Sequence, residues 1–313
     1  METPKTLLEA VRYFTDLDAC NKLMISLKWP DGKIVCPKCG SDKIGRIETR
    51  RLLRCNAPDC RKQFSAKVGT IFEDSPLGLD KWFVCVWSIA NAKNGISSCE
   101  VARALGVTQK TAWFMLHRIR KAMDTESFRK MDGEVESDET YIGGKAANMH
   151  AARRAKVITG RGGAGKTIVH GLLERGIGGA PSQVRATVVP DTEAATLVPE
   201  LAHNVEPSAT IYTDSHASYM GLFTRWVHQW VNHATAYVVG RVHTNGLENF
   251  WSLLKRGLRV HLFRYLDEQV FRFNKRKLTD GERFQTVMQS VVGKRLTFRQ
   301  LCMIDGCGFM GIE

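Results

Sequence analysis

Apolar residues recur at helical spacing at the start of the chain, where Leu7, Leu8, Val11, Phe14 and Leu17 share one side, and the pattern stops at Trp29-Pro30. It predicts one or two short helices over residues 1–30. Residues 31–73 lose that period and become irregular, punctuated by Gly and Cys, with strand-like pieces at Arg51–Arg54 and Val68–Phe72. From Leu77 to about Met123 the helical period returns, first at Lys81-Trp82-Phe83 and again after Asn94-Gly95. Beyond Met131 strand-like runs dominate, at Val135–Ile142, Ile168–Leu173, Val184–Val189 and Thr210–Thr213, with a helix expected over Thr192–Ala202. This alternation predicts a mixed α/β domain over 131–277, preceded by a helical lead-in (1–30), a Cys-bearing module (31–73) and a helical region (77–125). Residues 278–313 fit no pattern.

Charge narrows the partner. The chain carries 45 Lys+Arg against 32 Asp+Glu, a formal net charge of +13. The excess is concentrated: residues 28–67 hold eleven basic against four acidic side chains, and residues 241–277 hold nine against three. Such clusters attract a polyanion by releasing its counterions, which makes nucleic acid the leading partner over a merely soluble basic surface. No run approaches the roughly 18 apolar residues of a membrane span, and no signal peptide opens the chain. A cytoplasmic protein with no membrane partner is expected.

Four of the nine cysteines are paired by spacing. Cys36 and Cys39 form a C-x2-C knuckle, and Cys55 and Cys60 a C-x4-C knuckle fifteen residues later. Two such knuckles can present four thiolates tetrahedrally to one zinc ion, the closed geometry of a structural site. In so short and polar a module metal binding would supply much of the folding free energy. Cys20, Cys85 and Cys99 lie in apolar helical settings and are expected in the core.

The stretch from Ser97 to Trp113 offers a capped helix, a turn at Gly106 and a second helix capped by Thr108. Val101, Ala102, Leu105, Val107, Ala112 and Met115 would join the two helices. Gln109, Lys110, and Trp113 or Arg118 would point outward, as in the recognition helix of a helix-turn-helix. An ordinary helix pair packed on the main domain is the alternative.

Three carboxylates stand out in the α/β region. Asp138 lies within the run that starts at Val135, where a buried carboxylate needs hydrogen bonds or a cation; Glu139 would face the opposite side of that strand. Asp214 ends the run Ala209–Thr213, a common place for ligands in α/β sheets and equally for a turn or cap. Glu248 follows Asn245-Gly246-Leu247, so it could close a capping box with Asn245 or serve as a ligand beside Lys255, Arg256 and Arg259. Gly160–Thr167 matches the phosphate-loop pattern, but the basic residues before it and the strand-like residues after it are the wrong context. A basic loop gripping a DNA backbone accounts for it better.

These residues resemble a known family, the bacterial insertion-sequence transposases with an N-terminal zinc ribbon and a DDE catalytic domain, the ISXO-like type. The likeness runs from Cys36-Pro37-Lys38-Cys39-Gly40 and Gly69–Phe72 through Asp138–Lys145, Val189–Thr192 and Tyr212–Asp214 to His243–Asn245 and Glu248–Gly257. The Asp138–Lys145 and Phe250–Lys255 blocks are its specific parts. The resemblance implies a ribonuclease H-like fold with Asp138 on its first strand, Asp214 after the fourth and Glu248 on a later helix. Together they would hold two Mg²⁺ or Mn²⁺ ions that cut double-stranded DNA at the element ends and transfer the freed 3′-hydroxyl into a target. It gives His243 and Asn245 supporting roles, and it assigns phosphate contacts to Lys255, Arg256 and the 153–166 loop with Arg153, Arg154, Arg161 and Lys166. A homodimer or higher assembly on DNA is implied as well. Two other readings remain: a zinc-ribbon and helix-turn-helix regulator with an inactive catalytic domain, or a stand-alone ribonuclease H-like nuclease.

Overall fold

The structure, a computed structural model, describes residues 4–124, 129–143, 150, 166–231, 240–257 and 262–303. The chain divides into two compact units, Met1–Thr125 with Leu278–Glu313, and Glu126–Lys277. Among the described residues no helix is long and apolar enough to cross a membrane.

In the first unit, α1 (Leu7–Phe14) starts on Thr6 and α2 (Leu17–Lys28) on Asp16, whose side-chain oxygens accept the first free amides of each helix. Of the apolar stripe on α1 only Phe14 is fully buried, and Leu7, Leu8 and Val11 stay exposed. Phe14 packs edge-on against Phe83 of α3 (Leu79–Asn91), with ring centroids 5.5 Å apart, and lies 5.1 Å from Phe284. Cys20 and Cys85 belong to the same interior, whereas Cys99 is exposed, contrary to the core position expected for it.

Three short antiparallel strands, β1 (Ile44–Ile47), β2 (Leu52–Cys55) and β3 (Gln63–Phe64), follow in the order β1-β2-β3. The strand expected at Val68–Phe72 is a set of turns instead, closed by the Val68 amide on the Ser65 carbonyl and the Thr70 amide on Lys67. A helix pair comes next: α4 (Ser98–Leu105) capped by Ser97 and ended by a left-handed Gly106, then α5 (Gln109–Met123) capped by Thr108.

The α/β region, the second unit, interrupts the first in sequence, and the chain after it folds with the first unit. There α9 (Asp280–Gln289) opens on a capping box between Thr279 and Glu282 and buries Phe284 against Trp87, 5.6 Å between centroids. Beyond it the Ile71 amide donates to the Val291 carbonyl, and Gly293 donates to Gly69. A short α10 (Phe298–Met303) ends the described chain.

The second unit is a five-stranded sheet. Its strands β4 (Glu134–Ile142), β5 (Thr167–Glu174), β6 (Gln183–Val189), β7 (Thr210–Asp214) and β8 (Val227–Val231) lie in the order β6-β5-β4-β7-β8. The β4–β5 and β5–β6 pairs are antiparallel, and β4–β7 and β7–β8 parallel. This is the ribonuclease H-like arrangement of a mixed α/β fold. Strand alternation splits its side chains between two cores. On one face Val135, Leu172 and Ile211 pack with Leu197 and Leu201 of α6 (Ala194–Asn204). On the other, Val169, Leu173 and Val184 pack with Leu247, Phe250, Trp251 and Leu254 of α7 (Asn245–Gly257), and with Leu266 and Phe273 of α8 (Leu262–Asn274).

Candidate active site and zinc site

The parallel pairing of β4 with β7 matches Glu134 to Thr210, Val135 to Ile211 and Glu136 to Tyr212. Carrying that register two residues further toward the carboxyl ends brings Asp138 level with Asp214 on the neighbouring strand, both on the α7 face. Across β4 on the other side, the residue opposite Asp138 is Gly171. A Cβ at Gly171 would stand 2.5 Å from Cη2 of Trp251 and 3.0 Å from a Leu247 methyl. The bare backbone therefore lets α7 approach closely enough for the Trp251 indole to donate to Oδ2 of Asp138 at 2.8 Å.

Glu248 stands three residues before Trp251, a neighbour on the helix surface, and so on the side of α7 that meets Asp138. The rival capping explanation does not describe this helix start. The Glu248 amide donates to the Thr244 carbonyl at 3.0 Å, which makes Thr244 the capping residue and places Asn245 inside the first turn. The Glu248 side chain is exposed.

Electrostatics report the same convergence. Burial raises the Asp138 carboxyl to about 6, the charges of Asp214 and Glu248 add to the rise, and the Trp251 indole opposes it. Glu139, on the opposite face as alternation requires, accepts from the Tyr219 hydroxyl and is raised to about 7, chiefly by burial. Tyr219 also meets Ser137 at 3.0 Å, and Ser137 meets His170 at 2.9 Å. Burial pushes His170 down to about 4, so that buried imidazole is neutral.

Two residues that the sequence reading missed organise the start of α7. Glu136 is 1% exposed; it accepts from the Leu247 amide at 3.0 Å and from Nε of Arg175 at 2.8 Å. Arg175 in turn reaches His243, donating to its Nδ1 at 2.9 Å. Strand alternation puts Glu136 on the face of Asp138, which was a usable signal; nothing in the sequence pairs Arg175 with it.

The basic residues divide. Lys166, Lys255 and Arg256 are exposed, as are Gln109 and Lys110 at the start of α5, although Gln109 uses its amide on Ser98 at 2.8 Å. Arg118 is not an outward contact. It is 4% exposed, lies 4.6 Å over the Phe114 ring and donates from Nε to the Leu296 carbonyl at 2.9 Å, so it braces the first unit's interior. About two and a half turns of α5 separate it from the exposed end of that helix, and the chain after α9 covers it. Arg153, Arg154 and Arg161 lie outside the described residues.

Among the described residues, one group of metal-ligand side chains draws its ligand atoms to within 4.8 Å of one another: Cys36, Cys39, Cys55 and Cys60. The Sγ atoms of Cys36 and Cys60 are 3.7 Å apart and those of Cys39 and Cys55 3.6 Å. A tetrahedral zinc with bonds of about 2.3 Å separates its sulfurs by about 3.8 Å, so the set fits. Burial works against the Cys36 thiolate, but the amides of Cys39 and Lys38 and the adjoining thiols hold it down at about 6. The Asp138, Asp214 and Glu248 oxygens are spread more widely than the sulfurs.

A ribonuclease H-like sheet that lines up acidic residues on one face, in a chain that also carries a four-cysteine site fit for zinc, is the pairing that the transposase family models match. Residues 130–274 match the ISXO2-like transposase domain, and residues 16–63 match the transposase zinc-ribbon domain. The chain is 28% identical over 264 residues to an uncharacterized protein in transposable element ISH50 of Halobacterium salinarum, covering 80% of this chain and 86% of that one. It is also 35% identical over 100 residues to an uncharacterized transposase-like protein of Haemophilus influenzae, covering 29% of this chain and 81% of that one. The chain belongs to the ISXO2-like family of insertion-sequence transposases.

Proposed function

We propose that the protein cuts DNA at the ends of its element and joins the freed 3′-hydroxyl to a target, using Asp138, Asp214 and Glu248 as ligands for two divalent cations. The observation that carries this is the placing of the three acids on the α7 face, where burial first, and then the charges of Asp214 and Glu248, raise the Asp138 carboxyl. Acids that repel one another at a buried strand end are what Mg²⁺ or Mn²⁺ compensates. When bound, such ions activate the attacking oxygen and stabilise the leaving oxygen of a phosphodiester.

The chain supplies the rest. Trp251 donates to Oδ2 of Asp138 and the Glu139 amide to Oδ1 at 2.9 Å, which fixes the carboxylate while each oxygen keeps a further lone pair for a cation. Lys255 and Arg256, exposed two turns beyond Glu248, hold DNA phosphates on the approach, and Lys166 at the start of β5 does the same. In the first unit Gln109 and Lys110 meet the element end. The zinc ribbon adds further basic side chains, and their contacts make binding salt-dependent.

The test is incubation of the purified protein with a duplex carrying the element's terminal repeat, a target plasmid and Mg²⁺. A nick at the element boundary followed by a joined product is expected. Cutting by DNA shape without joining would make the protein a nuclease, and binding to the ends without any cutting would make it a regulator.

A further inference from the structure

His243 sits at the mouth of α7 with both its orientation and its proton constrained. Two N–H groups point at its Nδ1: Nη2 of Arg175 at 2.9 Å and the Asn245 amide at 3.3 Å. A guanidinium stays protonated, and a backbone amide has only its hydrogen to offer, so Nδ1 must supply the lone pair. The Glu136 carboxylate is also near Nδ1, but at 3.6 Å it is beyond hydrogen-bond reach. Its two oxygens are already taken by Arg175 and Leu247. The neutral ring therefore carries its proton on Nε2. The His243 side chain is 26% exposed, and among the described residues Nε2 has no hydrogen-bond partner.

Arg175 is itself held from every side. Besides Glu136 and the His243 ring, it donates to the Arg241 carbonyl at 2.7 Å and the His243 carbonyl at 2.8 Å, and it lies 4.4 Å over the Tyr212 ring. The start of α7 rests directly on its partner: a Cβ at Gly246 would stand 2.8 Å from Oε2 of Glu136. One buried ion pair thus ties together β4, the end of β5, residues 241–243 and the first turn of the helix that carries Glu248.

We propose that Arg175 and Glu136 are positioning residues for strand cleavage: they dock the start of α7 and lock His243 as an Nε2–H donor to a phosphate oxygen of bound DNA. This rests on the cleavage reading given above. It assigns His243 a definite chemistry, because an Nε2 that carries a hydrogen cannot accept a proton from an attacking water. The histidine stabilises charge on the phosphate and is not the general base.

Full-length protein labelled with ¹⁵N-histidine tests the tautomer by two-bond proton–nitrogen correlation at a pH where the ring is neutral, without need of metal or turnover. The His243 signal is identified by its loss in His243→Gln. The Nε2–H pattern is expected, and an Nδ1–H pattern overturns the proposal. His243→Gln keeps an N–H near the Nε2 position and is expected to retain most of the single-turnover cleavage rate, whereas His243→Leu loses it; equal loss in both would indicate a base and sink the donor role. Arg175→Met is expected to release the tautomer preference and slow cleavage about 10- to 100-fold, as for other residues that orient a reacting group, with end-DNA affinity unchanged. An Arg175→Met protein with the same tautomer and the same rate overturns the positioning role. If Arg175→Met does not fold, Arg175→Lys, which keeps the charge but not the fork, takes its place with the same readouts. A wild type with the expected tautomer that never cuts element ends refutes the cleavage reading and leaves the tautomer assignment standing.

Discussion

Asp138→Asn is expected to abolish element-end cleavage while making the protein more stable at neutral pH in buffer without added divalent cation. The loss follows from removing one cation ligand at the reacting centre: several kcal/mol of transition-state stabilisation corresponds to at least about a thousandfold in rate. The gain follows from the raised carboxyl. Folding lifts Asp138 from 3.8 to about 6, so the folded state binds that proton more tightly than the unfolded chain does. The stability this contributes is fully present below the unfolded value and is lost as pH rises through about 6. At about 1.4 kcal/mol per pKa unit the wild type forfeits about 2–3 kcal/mol over that window, whereas an asparagine, whose single oxygen can accept from Trp251 or from the Glu139 amide but not both, has no such titration to lose. Melting curves recorded from about pH 5 to about pH 8 should fall for the wild type and flatten for the variant. Glu139, raised to about 7, leaves a residual slope in both. Parallel slopes of the same size in the two proteins would show that Asp138 is not the strained group.

Stripping zinc, or replacing Cys36 and Cys39 together by serine, is expected to unfold residues 31–64 and to leave the aromatic core of the first unit standing. The small cluster around β1, β2 and β3 has Trp29, Cys36, Leu53, Cys55 and Phe64 as its buried members, and two of those five are the ligands themselves. Without the ion little apolar area is left to offset chain entropy, and structural zinc contributes on the order of 10–16 kcal/mol in comparable modules. The core formed by Phe14, Phe83, Trp87 and Phe284 does not depend on it. Metal analysis should find one zinc per chain. Hydrogen exchange on the chelator-treated protein should show protection lost over 31–64 and kept in α3 and α9. Intact protection across β1 and β2 after zinc removal would contradict a structural role for the metal.

The strands of the second unit were legible because their apolar runs are long and bounded by turn residues; β4, β5, β6 and β7 each lie within two residues of the expected spans. The edge strand β8 was missed, since Val227 and Trp230 are exposed and its pattern lacks a buried run. Val68–Phe72 reads as a strand by composition, but it packs through Ile71 and Phe72 from within turns, where tertiary contacts override β propensity. The chain after Leu278 carries one local signal, the Thr279 and Glu282 capping box, and without a flanking motif that signal does not reveal that α9 packs into the first unit. Arg118 shows the limit of helical-wheel reasoning. Its position on α5 is polar by sequence, yet Trp82, Phe114 and Leu296 surround it, and only the fold reveals that the guanidinium is used inside. Around the candidate site, the sequence supplied the three acids but could not choose between capping and ligation for Glu248. The Thr244 carbonyl decides where the helix begins.

Cleavage as proposed requires Asp138, Asp214 and Glu248 to share divalent cations, and Glu248 is the exposed member of the three. The most direct measurement is Mn²⁺ binding to the zinc-loaded, full-length protein with end DNA, followed by electron paramagnetic resonance. The prediction is two bound ions per chain in the wild type and loss of at least one in Glu248→Gln. Two ions held equally well by the Glu248→Gln protein, or none in the wild type, would contradict it.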